Sequence, residues 1–162
     1  MDLEITIIEK LRGLLSTILS LKKEISLFAV IKRKDTDTWD LVIGGNDLRT
    51  KENLRLIIRI MRKQFDKNEI LKFPRLILLN SNHPFLDSIN KAFSMEGGLA
   101  EIIDTKIYNV FIKNAYLLYS KSIKSYKKKD KYEIGEKKSF SASTRTSSSQ
   151  TTSENIDVVD NY

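Results

Sequence analysis

The sequence predicts an α/β domain. It should hold a mixed sheet opened by a β-hairpin and covered by about three helices, with a disordered C-terminal tail. Three observations lead there. Leu27–Gly45 contains two β runs, Leu27–Arg33 and Trp39–Ile43, joined by an Asp/Thr turn at Asp35–Thr38. A helical pattern precedes this hairpin, and helical and strand patterns alternate after it. From Lys121 the composition turns to lysine and then to serine and threonine, which offer little to a core. The 162 residues are 41% apolar and 30% charged. That suits one small domain over residues 1–122 and a tail over 123–162.

Residues 3–25 carry Ile8, Leu11, Leu15, Ile18 and Ile25 at the spacing of one helical face, with Ile7, Leu14 and Leu21 flanking. The stripe is wide enough to serve the core and also a coiled-coil-like seam. A protein partner or a homodimer through this helix is therefore one expectation. In the hairpin, Phe28, Val30 and Lys32 face one way and Leu27, Ala29 and Ile31 the other. Apolar residues on both faces call for helices on both sides of the sheet.

Gly44-Gly45 ends the second run, and Thr50 caps a helix over Lys51–Phe65. Leu54, Ile57, Ile58, Met61 and Phe65 form its inward stripe, while Lys51, Arg55, Arg59, Arg62 and Lys63 turn outward. That outward set reads either as a solvated face or as a basic surface. Pro74 opens a strand at Arg75–Leu79. Pro84 fits the first position of a third helix reaching about Ser94, with His83 or Asn82 as its cap. Leu99–Ser120 is strand-rich: Ala100–Asp104 and Ile107–Ile112 read as a hairpin or as one long bent strand, and Lys113-Asn114 then turns into Ala115–Tyr119.

Several chemistries are excluded by inventory. There is no cysteine and His83 is the one histidine, so thiolate catalysis, cysteine-based metal sites and histidine triads are ruled out. Gly44-Gly45 matches neither dinucleotide- nor phosphate-loop glycine spacing, and no cofactor is implied. No basic leader or long apolar run is visible, so a cytoplasmic protein without membrane contact is expected.

Three groups of residues remain as candidate sites. If the strands at 39–43 and 75–79 run parallel, the loops after them share one end of the sheet, where α/β folds hold ligands. Those loops supply Gly44, Gly45, Asn46, Asp47, Asn80, Ser81, Asn82 and His83 for an anion such as phosphate or nucleotide; capping and turn chemistry account for the same residues. A carboxylate metal site is the second. Asp40 with Asp104-Thr105-Lys106 resembles, in residue type, the Asp…(Asp/Glu)-x-Lys set of restriction-endonuclease-like folds, with Asp40, Asp104 and Lys106 as its working groups. That family sets the motifs on neighbouring strands, whereas here two helices and a strand intervene.

The third group is basic. Of the net charge of +7, residues 121–138 contribute eight lysines against three acids. Lys121, Lys124, Lys127, Lys128, Lys129 and Lys131, with Tyr126 and Tyr132 among them, suit non-specific contact with nucleic acid. The leading expectation is a non-catalytic accessory or binding module that acts through a partner. A metal-dependent nuclease-like or nucleotide-using enzyme and a structural homo-oligomer subunit are the alternatives.

Overall fold

The computed structural model describes residues 3–123. Helix α1 (Ile5–Ser20) buries Ile7, Ile8, Leu11, Leu14, Leu15 and Ile18. Its wide stripe is absorbed by the chain's own core, leaving Ile5 and Leu19 as exposed large apolar residues on the helix. The helix stops sooner than its apolar spacing suggests. Lys22 adopts a left-handed conformation (φ 60°), and Ile25 becomes the first residue of β1 (Ile25–Arg33). The helical and strand patterns overlap across Leu21–Ile25, and no glycine marks the break.

All nine residues of β1 are buried. It pairs antiparallel with β2 (Asp40–Gly45), closing the expected hairpin. Helix α2 (Lys51–Gln64) follows, with the Thr50 hydroxyl accepting the Asn53 N–H. A one-turn helix, α3 (Lys67–Ile70), was not anticipated. Its single turn is too short for a periodic signal, and it rests on a capping box in which Asp66 and Glu69 each accept the other's backbone N–H. Strand β3 (Arg75–Asn80) lies parallel to β2, from Asp40↔Arg75 to Gly45↔Asn80. Helix α4 (Pro84–Ala92) carries Pro84 at its start, as expected.

The final hairpin differs from expectation. It consists of β4 (Ala100–Ile107) and β5 (Val110–Ser120). The chain reverses at Tyr108, which takes φ 55°, and Lys113-Asn114 lies inside β5. The signal that suggested a turn there marks an irregularity instead. The β1–β5 ladder passes from Lys32↔Asn114 to Arg33↔Ile112, skipping Lys113. Opposite it in β4, Asp104 also has a positive φ, 46°. A bulge of this kind interrupts pairing and re-aims the side chain it carries.

The result is one mixed sheet in the order β3-β2-β1-β5-β4, with helices on both faces. Phe28, Val30, Leu41 and Ile43 join α1 and α2 in the main core, with Ile57 and Met61 closing it from α2. On the opposite face, Phe85, Leu86 and Ile89 of α4 are fully buried. Leu86 sits so close over Gly44 that a Cβ there would collide with it. Among the described residues, no helix is long and apolar enough to cross a membrane. Residues 124–162 of the predicted tail lie outside the described residues.

Gly45 is confined by backbone. A Cβ at that position would overlap the Glu24 carbonyl oxygen, which cannot swing away as a side chain can. Gly45→Ala should therefore cost about 1–3 kcal/mol in denaturant unfolding. Gly97→Ala, with nothing within 4 Å of the added methyl, should stay within about 0.5 kcal/mol of wild type.

Candidate nucleic-acid interface

Because β2 and β3 are parallel and in register, the loops that follow them do emerge together. The Arg49 N–H donates to the Asn80 side-chain oxygen at 3.3 Å and ties one loop to the other. Most of the polar groups there already have structural work. Asn46 donates to Glu24 through its backbone (3.0 Å) and its side chain (2.6 Å). Asp47, at φ 51°, offers its carbonyl to the Asn53 amide at 2.9 Å. His83 Nδ1 accepts the Phe85 N–H at 3.1 Å and caps α4. Gly44 and Gly45 are packing sites beneath Leu86 and beside Glu24. Ser81 and Asn82 stand exposed at the loop tip.

Asp40 belongs to a different arrangement from a metal site. Its carboxylate, 1% exposed, accepts two hydrogen bonds from Arg75, at 2.9 Å from Nε and 2.6 Å from the terminal nitrogen. Arg33 Nε lies 3.3 Å from the same carboxylate. Asp104 lies on β4, separated from β2 by β1 and β5 in the sheet order, a distance of roughly 14 Å at the usual strand spacing. Lys106 points its ammonium at the Phe111 ring, 5.1 Å from the centroid. Asp40, Asp104 and Lys106 are thus not brought together. Among the described residues, no group of three His, Cys, Asp or Glu side chains gathers as a metal-holding cluster.

The outward face of α2 is strongly cationic. Lys51, Arg55, Arg59, Arg62 and Lys63 are all exposed, within an arc of about 120° at 100° per residue. Among the described residues these side chains make no ion pair or hydrogen bond, and Glu52 is the one acid beside them. By contrast, Lys10, Lys91 and Lys121 each meet a carboxylate, Glu69, Asp87 and Glu96 respectively. Lys121 is the only member of the lysine-rich set that falls among the described residues. Its hydrogen bond to Glu96 raises its pKa above the ordinary lysine value. Lys124, Lys127, Lys128, Lys129 and Lys131 lie outside the described residues.

The sequence did not single out one further basic group. Phe111, 53% exposed, lies between the Lys34 and Lys106 ammonium groups, 5.7 and 5.1 Å from its ring centroid. The Lys34 N–H donates to the Phe111 carbonyl at 3.1 Å and holds the first hairpin's turn against β5. Lys34 and Lys106 share no motif, and only the sheet pairing brings them to one ring. Comparison with family models, with curated proteins and with solved structures finds no match for the chain.

The buried ion pairs and the α4 cap can each be tested by substitution. Asp40→Asn leaves Arg75 and Arg33 without their carboxylate in a buried setting and should cost about 3–5 kcal/mol in urea unfolding. Burial, and then the nearby Arg49 charge, lower the His83 pKa below 6.5. The unfolded chain therefore takes up this proton first. His83's contribution to stability is intact above pH 6.5 and is lost as pH falls through the window below it. Thermal melts of wild type and His83→Asn, which keeps a capping oxygen, should diverge as pH drops from about 7.5 to about 5.5, with wild type losing more.

Proposed function

We propose that this chain is a non-catalytic binding module that meets nucleic acid through the cationic face of α2, with the lysines of 121–138 adding sequence-independent contact. One observation carries the reading: Lys51, Arg55, Arg59 and Lys63 form a row at four-residue intervals with no ion-pair partner among the described residues. Like charges at that spacing each weaken their own helix by about 0.2–0.5 kcal/mol. Phosphates brought against the row relieve that repulsion, and the counterions they release favour binding further. The row extends about 18 Å along the helix axis, one cation roughly every 6 Å.

The exposed Phe111 ring between two lysines supports contact with unpaired bases, since aromatic faces stack on any base. A non-catalytic role is favoured by Asp40, whose carboxylate is engaged by arginines. It is favoured too by the wide separation of Asp40 from Asp104. In this reading nucleic acid is the partner, and the module presents or holds it for other proteins.

The test is fluorescence anisotropy of full-length protein with a labelled single strand and a duplex, at about 50 and 200 mM salt. Binding should be steeply salt-dependent. The paired substitution Arg55→Ala and Arg59→Ala should reduce the slope of log K against log salt by roughly 0.7–0.9 for each phosphate that is no longer neutralised. Substituting glutamine at Lys127, Lys128 and Lys129 should weaken binding on both probes. No binding at the lower salt would overturn the proposal, and an α2 variant that binds like wild type would remove α2 from it.

A further inference from the structure

A second basic site lies at the other end of the sheet, where β2 and β3 begin. A cavity of about 400 Å³ opens beside the turn of the first hairpin. Lys32 from β1, Lys72 from the segment before β3 and Lys113 from β5 line it, together with Trp39, Thr38 and Asp37. Asp37 is the one carboxylate among three ammonium groups. The volume falls in the range of small-molecule sites, about 300–1,000 Å³.

Lys32 is the decisive residue. It is 6% exposed, yet among the described residues it has neither carboxylate nor hydrogen-bond partner, only the Trp39 ring at 6.0 Å. Its neighbour Arg33, also buried but on the opposite face of β1, is matched by Asp40. The apolar stem of Lys32 is buried, while its ammonium keeps access to the water in the cavity. The cavity leaves room for the anion that Lys32 lacks.

The other two lysines are brought there by identifiable local features. Lys113 is the residue skipped where the β1–β5 register slips, and such a bulge directs its side chain out of the regular alternation. Lys72 is held in place by the Trp39 N–H, which donates to its carbonyl at 3.4 Å. Trp39 itself stacks on Tyr116, with ring centroids 5.6 Å apart. The site is thus built on five segments of the chain, Leu3 at its N-terminal edge included, with a fixed aromatic wall.

We propose that this cavity binds a small phosphate-bearing molecule, its phosphate held by Lys32, Lys72 and Lys113 and its organic part against Trp39. Three point-charge donors against one carboxylate suit a doubly charged oxyanion better than a single carboxylate ligand. The site is separate from the α2 face and stands whether or not nucleic acid binds there.

Trp39 is the chain's one tryptophan and lines the cavity, so its fluorescence reports directly. The experiment titrates full-length protein with inorganic pyrophosphate against sodium chloride of matched ionic strength. Pyrophosphate should give a saturable change that chloride does not. Lys32→Met and Lys72→Gln should each weaken it by about tenfold or more, whereas the Arg55→Ala, Arg59→Ala pair should leave it unchanged. Lys32→Met should melt close to wild type, because methionine keeps the buried apolar stem beside Trp39; this separates impaired binding from impaired folding. No saturable change, or one that persists in both lysine variants, would overturn the proposal. Displacement of pyrophosphate by an oligonucleotide only when it carries a 5′-phosphate would overturn the small-molecule assignment in favour of a strand end.

Discussion

The constraint on which this structure depends is the double cover of β1. Nine consecutive residues are buried, so every side chain on the strand needs a partner layer on its own side. Phe28 and Val30 obtain theirs from α1 and α2; Leu27, Ala29 and Ile31 face the side closed by α4. The strand ends in two cations, Lys32 and Arg33, which inherit the same burial. Arg33 turns to the α4 side and meets the carboxylate that Arg75 also grips. Lys32 turns to the other side and meets Trp39 and open space. One alternating strand thereby produces a structural charge network on one face and an unmatched cation on the other.

Much of the framework was legible because it rests on local chemistry. The first hairpin, α2 with its Thr50 cap, and α4 with Pro84 at its start are each specified by a few neighbouring residues. The parallel β2–β3 pairing, a condition in the sequence reading, is what the helix between the strands permits. Other parts were hidden for physical reasons. The end of α1 depends on a left-handed lysine, which has no sequence signature. The single turn of α3 is too short to show a period. The β4–β5 reversal falls at Tyr108-Asn109, where a tyrosine rather than a glycine takes the positive φ, whereas Lys113-Asn114 resembles a turn and is a bulge within a strand.

The charged sites divide in the same way. The α2 row was readable because one helix carries it at a regular spacing. Asp40 was readable as a strand carboxylate but not as the partner of Arg33 and Arg75, since that depends on strand register. The group of Lys32, Lys72 and Lys113 was invisible. Its members lie 40 and 41 residues apart, and they meet only through the hairpin turn, the Trp39–Lys72 hydrogen bond and the bulge in β5. Where a function depends on long-range assembly, composition alone gives the sign of the charge and nothing about its address.

The irregularity in the last hairpin also bears on the open border of the sheet. Strand β4 is an edge, so its outer backbone groups have no ladder partner from the sheet. A straight edge of that kind is a template on which another chain can add a strand. Here Asp104 breaks the extended geometry midway along it with a positive φ, and Glu101, Asp104 and Lys106 place charge along its length. The same kink that accompanies the re-aimed Lys113 thus makes β4 a poor seed for fibril growth and leaves the sheet closed to further strands on that side.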